Sequence, residues 1–231
     1  MRSIWRTLDA VLLRDVAAVA LGAAVTGASF GAISVGSGLP WWMPVLMSLV
    51  IFAGGSQFMA VGVVAAGGSP AAAVLAGLVL NARHLPFGLA IGDVLGRGPL
   101  ARIVGSHLLI DESTAFAMAQ KDPARARAAY WACGVSLFFS WNVGVLVGAL
   151  AGQAIGDTMT FGLDAAFPAA LLALTLPALK DAATRNAALV GAAIALATTP
   201  FLPAGLPVLL ALAGLFVFKT KKVEPCPSPQ S

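Results

Sequence analysis

Five polar side chains stand where this 231-residue chain is otherwise apolar: Asn81, Arg83 and His84 within "GLVLNARHLPFGLAIGD", and Asp111 and Glu112 within "IDES". No charged residue occurs from Val16 to Ala82, so Arg83 is the first charge after a long silence. A guanidinium inside a membrane segment costs about 2.5–3.5 kcal/mol even on the lenient insertion scale. A polar cavity or a carboxylate has to offset that cost, and Asp111 or Glu112 on the following segment is the obvious partner. One reading is an interhelical ion pair that fixes the fold. The other is recognition chemistry, in which Arg83 receives a carboxylate while Asp111 or Glu112 receives an ammonium group. Both hold together if an entering zwitterion exchanges one internal pair for two external ones.

Further polar residues fall at the same depth in neighbouring segments. "AGGSQF" sets two glycines before Ser56 and Gln57, a pattern that invites local unwinding and frees backbone groups to meet a ligand. Asn142 in "SWN" either completes a polar lining or makes an interhelical hydrogen bond. His84 adjoins Arg83, and His107 lies one helical turn before Asp111. Together with Asp111 and Glu112 these histidines are the candidates for carrying a proton; a plain hydrogen-bonding role is the alternative for each. "TGASFG" brings small residues to the same level, and such residues more often let membrane helices approach closely.

The elements that must position these groups are helical and membrane-spanning. Hydrophobic residues make up 59% of the chain and charged ones 10%, against roughly a quarter charged in soluble domains. Apolar runs long enough for a bilayer recur throughout. The expected fold is all-α: a polytopic membrane protein of about seven or eight transmembrane segments, drawn at 16–38, 41–64, 70–92, 100–119, 127–152, 163–180, 186–200 and 204–218. The last two are short, and read either as tilted spans or as a re-entrant pair. Residues 1–15 carry Ile4, Trp5, Leu8, Val11 and Leu12 on one face and read as an interfacial amphipathic helix. Residues 16–218 form one transmembrane domain, and 219–231 a polar cytoplasmic tail. A faint echo between segments one to three and five to seven suggests a repeat with discontinuous helices.

Charge supports an orientation. With the N-terminus inside, the inner segments hold Arg2, Arg6, Arg14, Lys121, Arg125, Arg127, Lys180, Arg185, Lys219, Lys221 and Lys222, and the outer loops only Arg97 and Arg102. That asymmetry puts both termini in the cytoplasm and requires the fourth segment to cross despite its two acids. The net charge of +4 is scattered over segment ends, which argues against nucleic acid as a partner. Cys133 and Cys226 have no cysteine or histidine at ligand spacing, so neither a disulfide nor a metal is expected. No HExxH, GxSxG or P-loop occurs, and the adjacent acids on one helix do not suit an intramembrane hydrolase. The chain reads as a non-enzyme that needs no cofactor.

Several motifs occur in a familiar order. They are Phe30-Gly31, then "LMSLVIFAGGSQF" from Leu46 to Phe58, "NARH" from Asn81 to His84, "DES" with Phe116 beyond it, and "FPAALLAL" at 167–174. Over about 16 to 180 the chain resembles the AzlC family of branched-chain amino acid exporters. The resemblance implies export of valine-like amino acids, or methionine in some members, across the bacterial inner membrane. It also implies a small membrane partner subunit of the AzlD type and coupling to the proton motive force. Two departures bear on substrate identity: Ala28-Ser29 replaces a proline often found before Phe-Gly, and the aromatic after "DES" is displaced to Phe116. On this reading Ser56, Gln57, Asn81, Arg83, Asp111, Glu112 and Asn142 are the candidate substrate-binding residues. Two rivals remain, a non-transporting scaffold or assembly subunit whose buried charges only lock helices, and a passive channel.

Overall fold

The computed structural model describes residues 9–96, 98–155, 172, 176, 178–202 and 206–217. Two helices dominate it. Helix α1 runs from Ala10 to Gly36 and α8 from Pro123 to Ile155, and both are long and apolar enough to cross a membrane. Asp9 caps α1 by accepting a hydrogen bond from the Leu12 N–H. Residues 10–15 are therefore continuous with the first apolar segment, and the earlier part of the expected surface helix lies outside the described residues.

The two long helices run parallel and touch backbone to backbone. A Cβ added at Gly27 would lie 2.6 Å from the Trp141 carbonyl oxygen, and one at Gly31 would overlap the Val145 carbonyl oxygen. From the other side, Gly144 faces Ala24, Gly148 faces Ala28 and Gly152 faces Ala32. The constant offset between partners fixes the parallel sense. At the N-terminal ends Arg125 closes the pair with a salt bridge to Asp9. Small residues permit this approach, which gains dispersion energy where no hydrophobic effect acts between helices.

Between α1 and α8 the expected three spans are each broken in two; the first break falls at the "AGGSQF" stretch where unwinding is expected, and the other two correct the reading of segments 70–92 and 100–119 as uninterrupted. The pairs are α2 (Trp42–Ile51) with α3 (Gly54–Ala65), α4 (Pro70–Asn81) with α5 (His84–Leu95), and α6 (Pro99–His107) with α7 (Asp111–Met118). Each break has a local cause. Phe52 adopts the left-handed conformation, φ 37° and ψ 56°, which ends α2. Pro86 has no N–H to give the Ala82 carbonyl and its ring crowds that group, so α4 and α5 meet at a 50° bend. The third break is tied off by Ser113, whose hydroxyl accepts from the Ile110 N–H and donates to the Leu108 carbonyl at 2.8 Å. Tyr130 on α8 donates to the Gly105 carbonyl at 2.6 Å, satisfying one of the end carbonyls of α6.

The core lies where α1, α3 and α8 meet around Phe30, Phe58 and Trp141. Phe30 meets Phe58 edge to face at 5.2 Å and stacks on Trp141 at 6.0 Å. Helix α9 (Ala182–Thr198) turns back on Leu206–Leu210, Ala211–Ala213 and Gly214–Val217 as an antiparallel hairpin, with Gly191 against Ala211 and Gly214 against Ala187. Leu209 of that hairpin packs on Val63, Ala72, Ala73 and Ala76 of α3 and α4. Most of the sixth expected segment, 163–180, lies outside the described residues, as does the tail.

Candidate functional site

The three breaks meet at one cavity of about 500 Å³. Each break contributes the beginning of a helix. Gly54 and Gly55 open α3, Arg83 and His84 open α5, and Asp111 and Glu112 open α7; all six line the cavity. The positions before the three helices are Ala53, Arg83 and Ile110, and none caps its helix with a side-chain hydrogen bond. The first N–H groups of a helix lack internal partners, and its dipole leaves positive charge there. Three such ends around one space favour negative charge within it.

Arg83 is placed by the bend itself. It occupies the N-cap of α5, at the break and not in the interior of a helix as the apolar pattern suggested. Its Nη1 pairs with Asp111 Oδ2 at 2.6 Å, and both side chains remain 40% exposed. The first turn of α3 runs so near that a Cβ on Gly55 would sit 3.6 Å from Arg83 Nη2. Guanidinium and helix end thus lie side by side at the cavity. Asp111 Oδ1 is buried without a hydrogen-bond partner among the described residues, so one oxygen of the pair keeps its accepting capacity. Glu112 is exposed, lines the same cavity and forms no salt bridge among the described residues. His84 lines it too, with its Nε2 buried and unpartnered among those residues and its ring 6.1 Å from Phe87.

The rest of the lining is mostly apolar. Val19, Gly22 and Ala23 of α1, Leu137 and Trp141 of α8, Phe52 at the first break and Phe58 of α3 supply an apolar surface. The cavity lining therefore combines fixed charge of both signs with aliphatic and aromatic groups. Its size lies within the range of small-molecule sites.

The remaining candidates do not line this cavity. Ser56 is buried and donates back to the Ala53 carbonyl at 2.9 Å, which helps to shape the first turn of α3. Gln57 is fully buried, and neither amide atom has a partner among the described residues. Asn81 keeps a buried Oδ1 at the end of α4 with no partner among the described residues. Asn142 accepts from Ser48 at 2.6 Å and donates to the Phe138 carbonyl at 2.8 Å, joining α8 to α2. His107 sits against the rings of Phe52 and Phe138, at 6.1 and 5.6 Å. Thr26 and Trp141, which line the cavity, were absent from the candidates, although both lie in the small or polar clusters "TGASFG" and "SWN". Among the described residues no three His, Cys, Asp or Glu side chains gather to hold a metal ion.

Broken apolar helices around a two-signed cavity, beside two full-length membrane-spanning candidates, define an all-α membrane protein with a small-molecule-sized central site. The chain belongs to the AzlC family: the model of that family, described as "AzlC protein", matches residues 18–155. It is 25% identical, over 86% of its own length and 80% of the relative's, to the "Branched-chain amino acid transport protein AzlC" of Bacillus subtilis. It is 27% identical to an "Uncharacterized membrane protein" of Helicobacter pylori, covering 77% of this chain and 78% of the other. A third relative, from Haemophilus influenzae and likewise described as an uncharacterized membrane protein, is 28% identical over 59% of this chain and 56% of its own. No solved structure matches the chain at a significant level.

Proposed function

We propose that this protein exports branched-chain, valine-like amino acids or aliphatic amino acids of similar size. The observation that carries the reading is the Arg83–Asp111 pair at two helix breaks, lining one cavity together with Glu112 and a set of apolar residues. A zwitterion needs one cationic contact and one anionic contact. In the resting arrangement Arg83 and Asp111 neutralise one another. An entering carboxylate takes up the guanidinium and the uncapped end of α3, while Glu112, which has no salt bridge among the described residues, receives the ammonium. The aliphatic side chain then rests against Val19, Leu137 and Phe52. Family membership and the printed name of the Bacillus subtilis relative support this substrate class.

Topology enters the same proposal. Because α1 and α8 are parallel, the chain between them crosses the membrane an odd number of times, and the three broken pairs supply three crossings. With the C-terminal hairpin crossing twice and the apolar sequence 163–180 read as one more span, the proposal is eight spans in a bacterial inner membrane, an even number that leaves both termini in the cytoplasm. The proposal includes a small AzlD-type partner subunit and coupling to the proton motive force, with His84, Asp111 and Glu112 as the titratable groups at the cavity.

Arg83→Ala is expected to reach the membrane at wild-type abundance and to lose export of valine from cells loaded with valine-containing dipeptides. Arg83→Lys should restore little, since a point charge does not reproduce a two-pronged contact. Normal export at matched protein levels sinks the proposal. Loss of the protein itself, with any remaining molecules fully active, supports the scaffold reading instead.

A further inference from the structure

The geometry points to Gly22 as the residue that limits how large a substrate side chain the cavity accepts, an inference that rests on reading the cavity as an aliphatic amino-acid site. Gly22 belongs to the apolar wall, on α1 with Val19 and Ala23 beside it and Thr26 one turn further on. Inside a helix glycine is about 1 kcal/mol less favourable than alanine, so a helical glycine calls for a reason.

Two other glycines of α1 have one. Gly27 and Gly31 abut α8 so closely that a Cβ on either would run into a backbone carbonyl oxygen. Gly22 has no such neighbour: a Cβ there would meet nothing within 4 Å. No packing contact of the described chain demands glycine at this position. Gly22 is exposed and lines the cavity, and its missing side chain leaves the space beside it open. Thr26 turns its hydroxyl back onto the Gly22 carbonyl at 2.9 Å, which ties off the polar atoms of this stretch and keeps the wall apolar.

A Cβ placed at 22 pushes no protein atom aside, and Gly22 lines the same cavity as Arg83, Asp111 and Glu112, the charged groups that hold the zwitterion. Larger substrate side chains therefore lose their place first. In an apolar pocket one methylene changes discrimination by about 10–200-fold.

The test is export of leucine and of valine, measured side by side from dipeptide-loaded cells. The cells express the full chain, together with its small partner subunit where wild-type export needs one. Gly22→Ala is expected to lower the leucine-to-valine export ratio about tenfold, and Gly22→Val to lower it further while some valine export persists. If Gly22→Val fails to reach the membrane, the ratio in Gly22→Ala decides alone. An unchanged ratio in variants present at wild-type level overturns the inference. So does equal loss of both substrates, which would mark Gly22 as a helix-docking position. Failure of the wild type to export either amino acid is a different result, since it overturns the proposed function before any variant is compared.

Discussion

Arg83 shows what could and could not be read from single residues. Its partner was legible, because a lone cation in an apolar segment must find an acid at a similar depth, and Asp111 and Glu112 stood on the next segment. Its backbone setting was not. "NARH" reads as uninterrupted helix, and the proline that breaks it lies three residues downstream at Pro86. Asn142 is a different case: its residue type fits a cavity lining or an interhelical bond equally well, and only Ser48 across the gap decides between them. Asp9 allows a test at this scale. The Leu12 N–H and then the Arg125 guanidinium hold its carboxyl below the ordinary value near 3.8. A lowered folded-state pKa contributes stability that is present above the unfolded value and is lost as pH falls through the folded one. Asp9→Asn should therefore melt earlier than the wild type in detergent at neutral pH. The gap should close as the pH falls below about 3.8, and a constant gap across the titration would count against the clasp between α1 and α8.

At the scale of elements, length and composition announced the two long helices, but hydropathy averages over a window and passes across a short break unaware of it. The first break carried a local signal in its paired glycines. The third did not, since Leu108, Leu109 and Ile110 are as apolar as their helical surroundings and the work of ending the helix falls to Ser113 and Tyr130. The α1–α8 seam was foreshadowed only as a scatter of small residues, because which glycine faces which carbonyl depends on the register of two distant segments. That register predicts a cost. Gly148→Ala puts a methyl group onto the Ala28 carbonyl oxygen, where neither backbone can yield easily. It should lower stability by about 1–3 kcal/mol, the usual range for overpacking, seen as reduced membrane abundance and an earlier melt. Gly22→Ala on α1, where an added Cβ meets nothing within 4 Å, should show no such loss, so the pair separates seam from cavity.

For the whole molecule, the alternation of charge and hydropathy gave the class and the expected orientation, while the cavity needed three dimensions. Its walls come from five helices, α1, α3, α5, α7 and α8, together with Phe52 at the first break, and no window of sequence contains both the charged face and the apolar one. Coupling also belongs to this scale. Export by the wild type should fall sharply when a protonophore collapses the gradient, as measured by external valine over time. Flux that continues unchanged would identify a passive pore.

The coincidence of the three breaks has a mechanical consequence. Along the proposed topology, α2, α5 and α6 lie on one side of the cavity and α3, α4 and α7 on the other, joined at Phe52–Ala53, Ala82–Arg83 and Leu108–Ile110. Those joints already lack a complete helical hydrogen-bond ladder, so bending at them sacrifices little of it. Two slabs connected by three such hinges can tilt independently while the α1–α8 pair stands as a fixed post beside them. A molecule built this way can uncover its central chamber to one face of the bilayer while leaving the opposite slab closed.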